Sequence, residues 1–152
     1  MKRALLFGLM AVSFISCSCG SKNVANIVSD NTIHPENGKM KIKIGNSTFT
    51  ATLYNNATAS TFKSLLPLTV NMLELNGNEK YVDLSGNLPT NASNPRIIQN
   101  GDLMLYGSST LVLFYKTFPT SYAYTTLGRI DNPSGLTAAL GAGNVTVTFE
   151  RE

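Results

Sequence analysis

From Lys39 onward, apolar and polar residues alternate in short runs separated by turn residues. Met40, Ile42 and Ile44 interleave with Lys39, Lys41 and Lys43, a period of two that predicts a strand with one buried face. Gly45-Asn46 turns the chain. Phe49, Ala51 and Leu53 then alternate with Thr48, Thr50 and Thr52 from Ser47 to Tyr54, completing a hairpin with one wet face. Asn56 is placed to N-cap a helix over Ala57–Leu66, with Ala59, Phe62 and Leu65-Leu66 on one stripe and Pro67 as its stop. Leu68–Leu75 and Glu79–Leu84 read as strands around Asn76-Gly77, a hairpin dipeptide. Residues 85–95 carry Gly, Asn, Pro, Ser and Thr without a period and read as a surface loop.

The stretch Arg96–Ile130 organises the remainder. Two apolar runs, Leu103–Tyr106 and Leu111–Tyr115, flank Gly107-Ser108-Ser109 and predict a core hairpin. A polar loop bearing aromatic residues, Thr117–Thr125, leads to the block Leu127-Gly128-Arg129-Ile130. Asp131-Asn132-Pro133 has the chemistry of a helix start, Leu136, Ala139 and Leu140 form that helix's apolar stripe, and Gly141–Gly143 end it. Asn144–Glu150 alternates again, with Val145, Val147 and Phe149 inward. About eight strands and two short helices suit an all-β closed barrel, which leaves no sheet edge unpaired.

Upstream of Lys39 the pattern changes. Lys2-Arg3 precede an apolar run, Ala4–Ile15, too short to span a bilayer stably. Phe14-Ile15-Ser16-Cys17 resembles a bacterial lipobox, which implies acylation of Cys17 and a membrane anchor made by buried methylenes. Cys19 is the second position with the needed thiol, and an ordinary secretory peptide is the competing reading. The expected organisation is a signal peptide over 1–16, a lipidated flexible tether over 17–38 and a barrel domain over 39–152. Such a protein would be extracytoplasmic, anchored to a bacterial envelope membrane on its periplasmic or surface side.

Composition narrows the chemistry. Charged residues make up 14% of the chain, against about a quarter in an average domain, so Thr, Ser and Asn must supply the wet surface. The formal charge is +3, two units of which sit on Lys2 and Arg3, and no basic run interleaves with aromatics, which argues against nucleic acid. The 2 cysteines both precede the domain and the 1 histidine, His34, lies in the tether. Disulfides, thiol nucleophiles, Ser-His-Asp catalysis and His- or Cys-ligated metals are thereby excluded from the domain, and no metal or cofactor is expected. The carboxylates Glu79, Asp83, Asp102 and Asp131 are scattered mostly at strand ends and caps, which favours turn and capping duties over the alternative of a glycosidase pair among them.

The order of the blocks between Lys39 and Glu150 resembles that of the cyclophilin family, most closely its small bacterial cyclophilin-like members. Ile98-Gln99-Asn100-Gly101-Asp102 is similar to the family's I-Q-G-G-D segment, and Leu113-Phe114-Tyr115 to the paired-aromatic strand that follows it. Leu127-Gly128-Arg129-Ile130 with Gly135-Leu136 resembles the F-G-K-V…G-M run near the family's C-terminus. The resemblance implies a cyclophilin-like barrel with a helix over each end and a peptide-binding trough on its outside. It places Gln99 at the peptide-holding Gln, Ile97 at an apolar wall, Phe114 at the pocket floor, Leu113 beside it, and Tyr124 at a rim position. Tyr122 would stand in the same loop.

In that family an Arg hydrogen-bonds the prolyl nitrogen and weakens the amide resonance that sets the rotation barrier. The family's F-H-R block has no counterpart here. Asn91 stands where its Arg would be, and a neutral amide is a weaker donor than a guanidinium. Arg96 is the nearest substitute for the catalytic role. Three readings follow: a binding module with little or no catalysis that takes an extended peptide, Pro-containing or not, or a small ligand; a prolyl isomerase using Arg96; or a scaffold for protein contacts in the envelope.

Overall fold

A computed structural model of the chain describes residues 36–152. The expected signal peptide, Cys17, Cys19, His34 and most of the expected tether lie outside the described residues. The first strand, β1 (Glu36–Ile44), starts three residues before Lys39 and pairs Glu36 with Tyr54 across a register shift. It is followed by β2 (Ser47–Tyr54), α1 (Ala57–Ser64), β3 (Leu68–Leu75) and β4 (Glu79–Asp83). Next come β5 (Ile97–Ile98), β6 (Asp102–Tyr106), β7 (Thr110–Phe114), β8 (Phe118–Pro119), β9 (Thr125–Ile130), α2 (Leu136–Leu140) and β10 (Val145–Arg151).

Eight of these strands close into an antiparallel barrel in the order β1-β10-β3-β4-β7-β6-β9-β2, with β2 pairing back onto β1. The closed all-β barrel expected from the sequence is thus the fold. The other two strands, β5 and β8, form a ribbon of their own.

Alternation decides what fills the tube. Met40, Ile42, Ile44, Leu53, Leu105, Leu111, Leu113, Val147 and Phe149 point into one core. α1 adds Ala59 and Phe62, whose ring meets Phe149 edge to face at 5.6 Å. The Asn56 side chain accepts from the Ala59 N–H at 2.8 Å, the N-cap its position predicts. α2 contributes Leu136 and Leu140.

The seam between β2 and β9 has only the pairs Ala51 with Ile130, Thr52 with Arg129 and Leu53 with Gly128. Gly128 lets the two backbones meet. A Cβ there would overlap the Thr52 carbonyl oxygen and come within 3.1 Å of the Leu53 Cα.

The structure departs from expectation around α2. That helix starts at Leu136 behind Gly135, whose φ is +81°, and no side chain caps it. Asp131 is engaged elsewhere: it accepts from the Thr52 hydroxyl at 2.6 Å and pairs with Lys39 at 3.0 Å. Asn132 accepts from the Ser134 N–H, forming a local turn instead of a first helical turn.

Candidate functional site

Residues on β4, β6 and β7 that do not face the tube face outward, and they carry a second apolar cluster. Met104, Val112 and Phe114 bury there with Ile98 and Tyr124, and Tyr81 and Phe118 pack against them. The β5–β8 ribbon roofs part of this cluster through the pairs Ile97 with Pro119 and Ile98 with Phe118. The Thr120 N–H donates to the Arg96 carbonyl, and Ser93 and Tyr124 exchange backbone hydrogen bonds at 2.9 and 3.0 Å.

Beside the roofed part lies a groove of about 460 Å³. One wall is the β3–β4 turn, with Leu75, Asn76, Asn78 and Glu79. The other is β8 and the loop after it, with Phe118, Pro119, Thr120, Ser121 and Tyr122. Tyr81, Tyr106, Thr110, Val112 and Tyr124 form the base. The aromatic rings support one another: Tyr106 lies 6.2 Å from Tyr122 and 5.7 Å from Tyr124, and Tyr124 meets Phe114 edge to face at 5.4 Å. Tyr122 is 61% exposed and Tyr106 47%, which is much ring surface to leave in water without a use.

Of the residues singled out from sequence, Tyr122 and Tyr124 line this groove. Phe114 lies one layer deeper. It is 0% exposed and packs against Phe118 and Tyr124, so it supports the base from below and is not itself touched from the groove.

Leu113 points into the barrel core, because neighbouring residues of a strand face opposite ways. The same alternation separates Ile97, 52% exposed and outside the groove lining, from Ile98, which joins the outer cluster. The Gln99 N–H donates to Asp102 at 2.7 Å and its side chain contacts Thr117 at 3.4 Å, which ties it to the turn before β6. Arg96 is exposed with φ +64° at the start of the ribbon and does not line the groove. Asn91 is exposed too, its N–H donating to the Thr125 hydroxyl.

Three of the four scattered carboxylates are held by hydrogen bonds, but only Asp102 serves a turn as expected; Asp83 bonds across strands and Asp131 caps no helix. Asp83 accepts from Thr110, and Asp131 is held as described. Asp102 accepts the Gln99 N–H and lies 3.6 Å from Arg129. Burial pushes the Asp102 carboxyl up, against the lowering effect of that N–H and of Arg129.

Glu79 is different. It lines the groove and has no ion-pair partner among the described residues. Burial and then the neighbouring Glu74 charge push its carboxyl above the usual range. Burial, followed by the Glu79 charge, also pushes the Tyr124 phenol up to about 12.

Sequence reasoning missed a second polar cluster. Cross-strand partners Glu74 and Lys80 both face inward, and Lys80 is 0% exposed. Its ammonium pairs with Glu74 and donates to the carbonyls of Gly141 at 2.9 Å and Gly143 at 2.6 Å. The Tyr115 hydroxyl donates to the same carboxylate at 2.9 Å, and its ring lies 5.4 Å from the ammonium. Burial raises the Glu74 carboxyl, but hydrogen bonds from Lys80, Tyr115 and Gly77 outweigh that and hold it below its usual value. With every hydrogen-bonding site of Lys80 engaged, this cluster reads as a staple that fixes the loop after α2. The available signal was the phase of β4, which places Lys80 on the same face as Val82. Among the described residues no group of three or more His, Cys, Asp or Glu side chains is placed to hold a metal.

A family model described as the cyclophilin-like family matches residues 42–150. Among solved structures, the solution structure of a hypothetical protein from Archaeoglobus fulgidus superposes with a TM-score of 0.51 at 21% identity, covering 75% of this chain and 94% of that one. At that identity the likeness is one of fold. Comparison with curated proteins finds no match.

Proposed function

This chain belongs to the cyclophilin-like family, and from that premise we propose that its domain is a binding module for an extended peptide, with little or no prolyl isomerase activity. The observation that carries the reading is the groove itself. It is based on tyrosines, about 460 Å³ in volume, walled by two polypeptide turns, and none of its lining residues is basic. Tyrosine offers large contact area with few rotatable bonds, so it binds at low entropic cost. Without a cation the groove cannot stabilise a pyramidalised prolyl nitrogen as the family's Arg does, and Arg96 stands outside the lining. A small ligand in the same groove, or envelope protein contacts made elsewhere on the barrel, are the other functional readings of this surface.

The test is a backbone NMR titration with a capped, extended Pro-containing peptide, combined with exchange spectroscopy on its cis and trans signals. Shifts confined to residues around Tyr106, Tyr122 and Tyr124, with no acceleration of exchange, are expected. Exchange catalysis that vanishes in Arg96→Ala would reverse the assignment and restore the isomerase. For the leader, the proposal is acylation at Cys17 or Cys19 and an extracytoplasmic anchor. Mass spectrometry of the mature N-terminus should find a diacylglyceryl cysteine at one of the two, and an unmodified N-terminus would refute it.

A further inference from the structure

We infer that the groove selects a basic side chain, a Lys or Arg of the bound peptide, with Glu79 as its counter-charge and the tyrosine rings as its walls. The inference rests on the binding reading above and specifies its ligand.

The groove presents one carboxylate without a cation and several electron-rich ring faces. Glu79 is a half-buried carboxylate with no cation beside it among the described residues, whereas Asp83, Asp102 and Asp131 each have a donor in place. A carboxylate withdrawn from water is costly unless a cation or several donors meet it. The faces of Tyr81, Tyr106, Tyr122 and Tyr124 carry the negative end of the ring quadrupole, to which an ammonium or guanidinium is attracted within about 6 Å of a centroid.

The charges around Glu79 do not compensate it. Glu74 on β3 is the nearest like charge, and the phenols of Tyr115 after β7 and Tyr124 before β9 are held neutral. Lys80, the adjacent residue on β4, faces inward and is committed to Glu74 and the two glycine carbonyls. An apolar or anionic guest would leave Glu79 unmatched. A basic side chain supplies the missing charge, and its methylenes suit the tyrosine walls.

The experiment compares two capped peptides, one with Pro and a neighbouring Lys and its twin with norleucine in place of Lys, titrated into the full chain at pH 7 and followed by NMR. The Lys peptide should bind roughly tenfold more tightly. That preference should disappear in Glu79→Gln and shrink in Tyr122→Leu, which keeps apolar area but removes the ring. In the unsubstituted protein it should also fade as acid protonates Glu79, so the reading does not depend on either variant folding. Equal affinities with shifts at the groove would overturn the cation inference and leave peptide binding standing. Absence of any groove shift with either peptide would overturn both.

Discussion

Replacing Gly128 by Ala adds one methyl group at the narrowest part of the barrel wall. The new Cβ would overlap the Thr52 carbonyl oxygen and lie 3.1 Å from the Leu53 Cα and 3.2 Å from the Thr52 carbonyl carbon. All three neighbours are backbone, so no side-chain rotation relieves the clash and β2 must move away from β9. That seam has only three residue pairs, and the hydrogen bonds of each depend on the separation being lost. An extra methyl in a packed interior costs about 1–3 kcal/mol when side chains can yield, and an immovable backbone places this one at about 3 kcal/mol. Urea unfolding measured by circular dichroism reads the change directly. Gly86→Ala is the control, since nothing lies within 4 Å of its added Cβ, and it should stay within about 0.5 kcal/mol of the parent. A Gly128→Ala protein as stable as the Gly86→Ala protein would refute the claim that contact between these backbones closes the tube.

Phe114→Ala should cost roughly 3–5 kcal/mol, the usual range for emptying a sealed aromatic site, and should abolish groove shifts in the peptide titration. Glu79→Gln should raise the melting temperature at pH 7. The native Glu79 carboxyl titrates above its usual value of 4.5, so ionising it opposes folding as pH rises through that range. Below both values the group is protonated in either state and the two proteins should melt together; an unchanged difference across pH 3–7 would count against it. Absorbance titration of the phenols should show Tyr115 and Tyr124 ionising near pH 12. Because the folded protein then holds protons that the unfolded chain releases near 10, stability should be intact below pH 10 and fall from there toward 12. Phenol titration complete by pH 10.5 with the fold intact would contradict the burial of these two rings.

The barrel was legible because its strands are two-sided. Lys39 to Ile44 and Ser47 to Tyr54 announce their inner faces by alternation alone, and the Asn76-Gly77 turn fixes the hairpin between β3 and β4. The groove was only half legible. Tyr122 and Tyr124 stood out as aromatics in a polar loop, but whether Ile97 or Ile98 faced the cluster depended on a two-residue strand whose phase no pattern could fix. Leu113 and Phe114 were adjacent in the same apolar run, and with both faces of β7 covered the run shows no alternation to separate them. Glu79 looked like one more strand-end carboxylate. Its distinction lies in the partners it lacks, which only three dimensions disclose.

The two walls of the groove belong to the β3–β4 turn and to the segment from Phe118 to Tyr122, while the staves of the barrel supply only its base. Tolerance to mutation should divide along the same line. On the proposed binding reading, changes at exposed wall positions such as Asn76 and Ser121 would alter which guest is accepted with little cost to folding, whereas changes in the staves, or at Phe118, would disturb the fold. A lineage could therefore retune this protein to new guests many times over without rebuilding it.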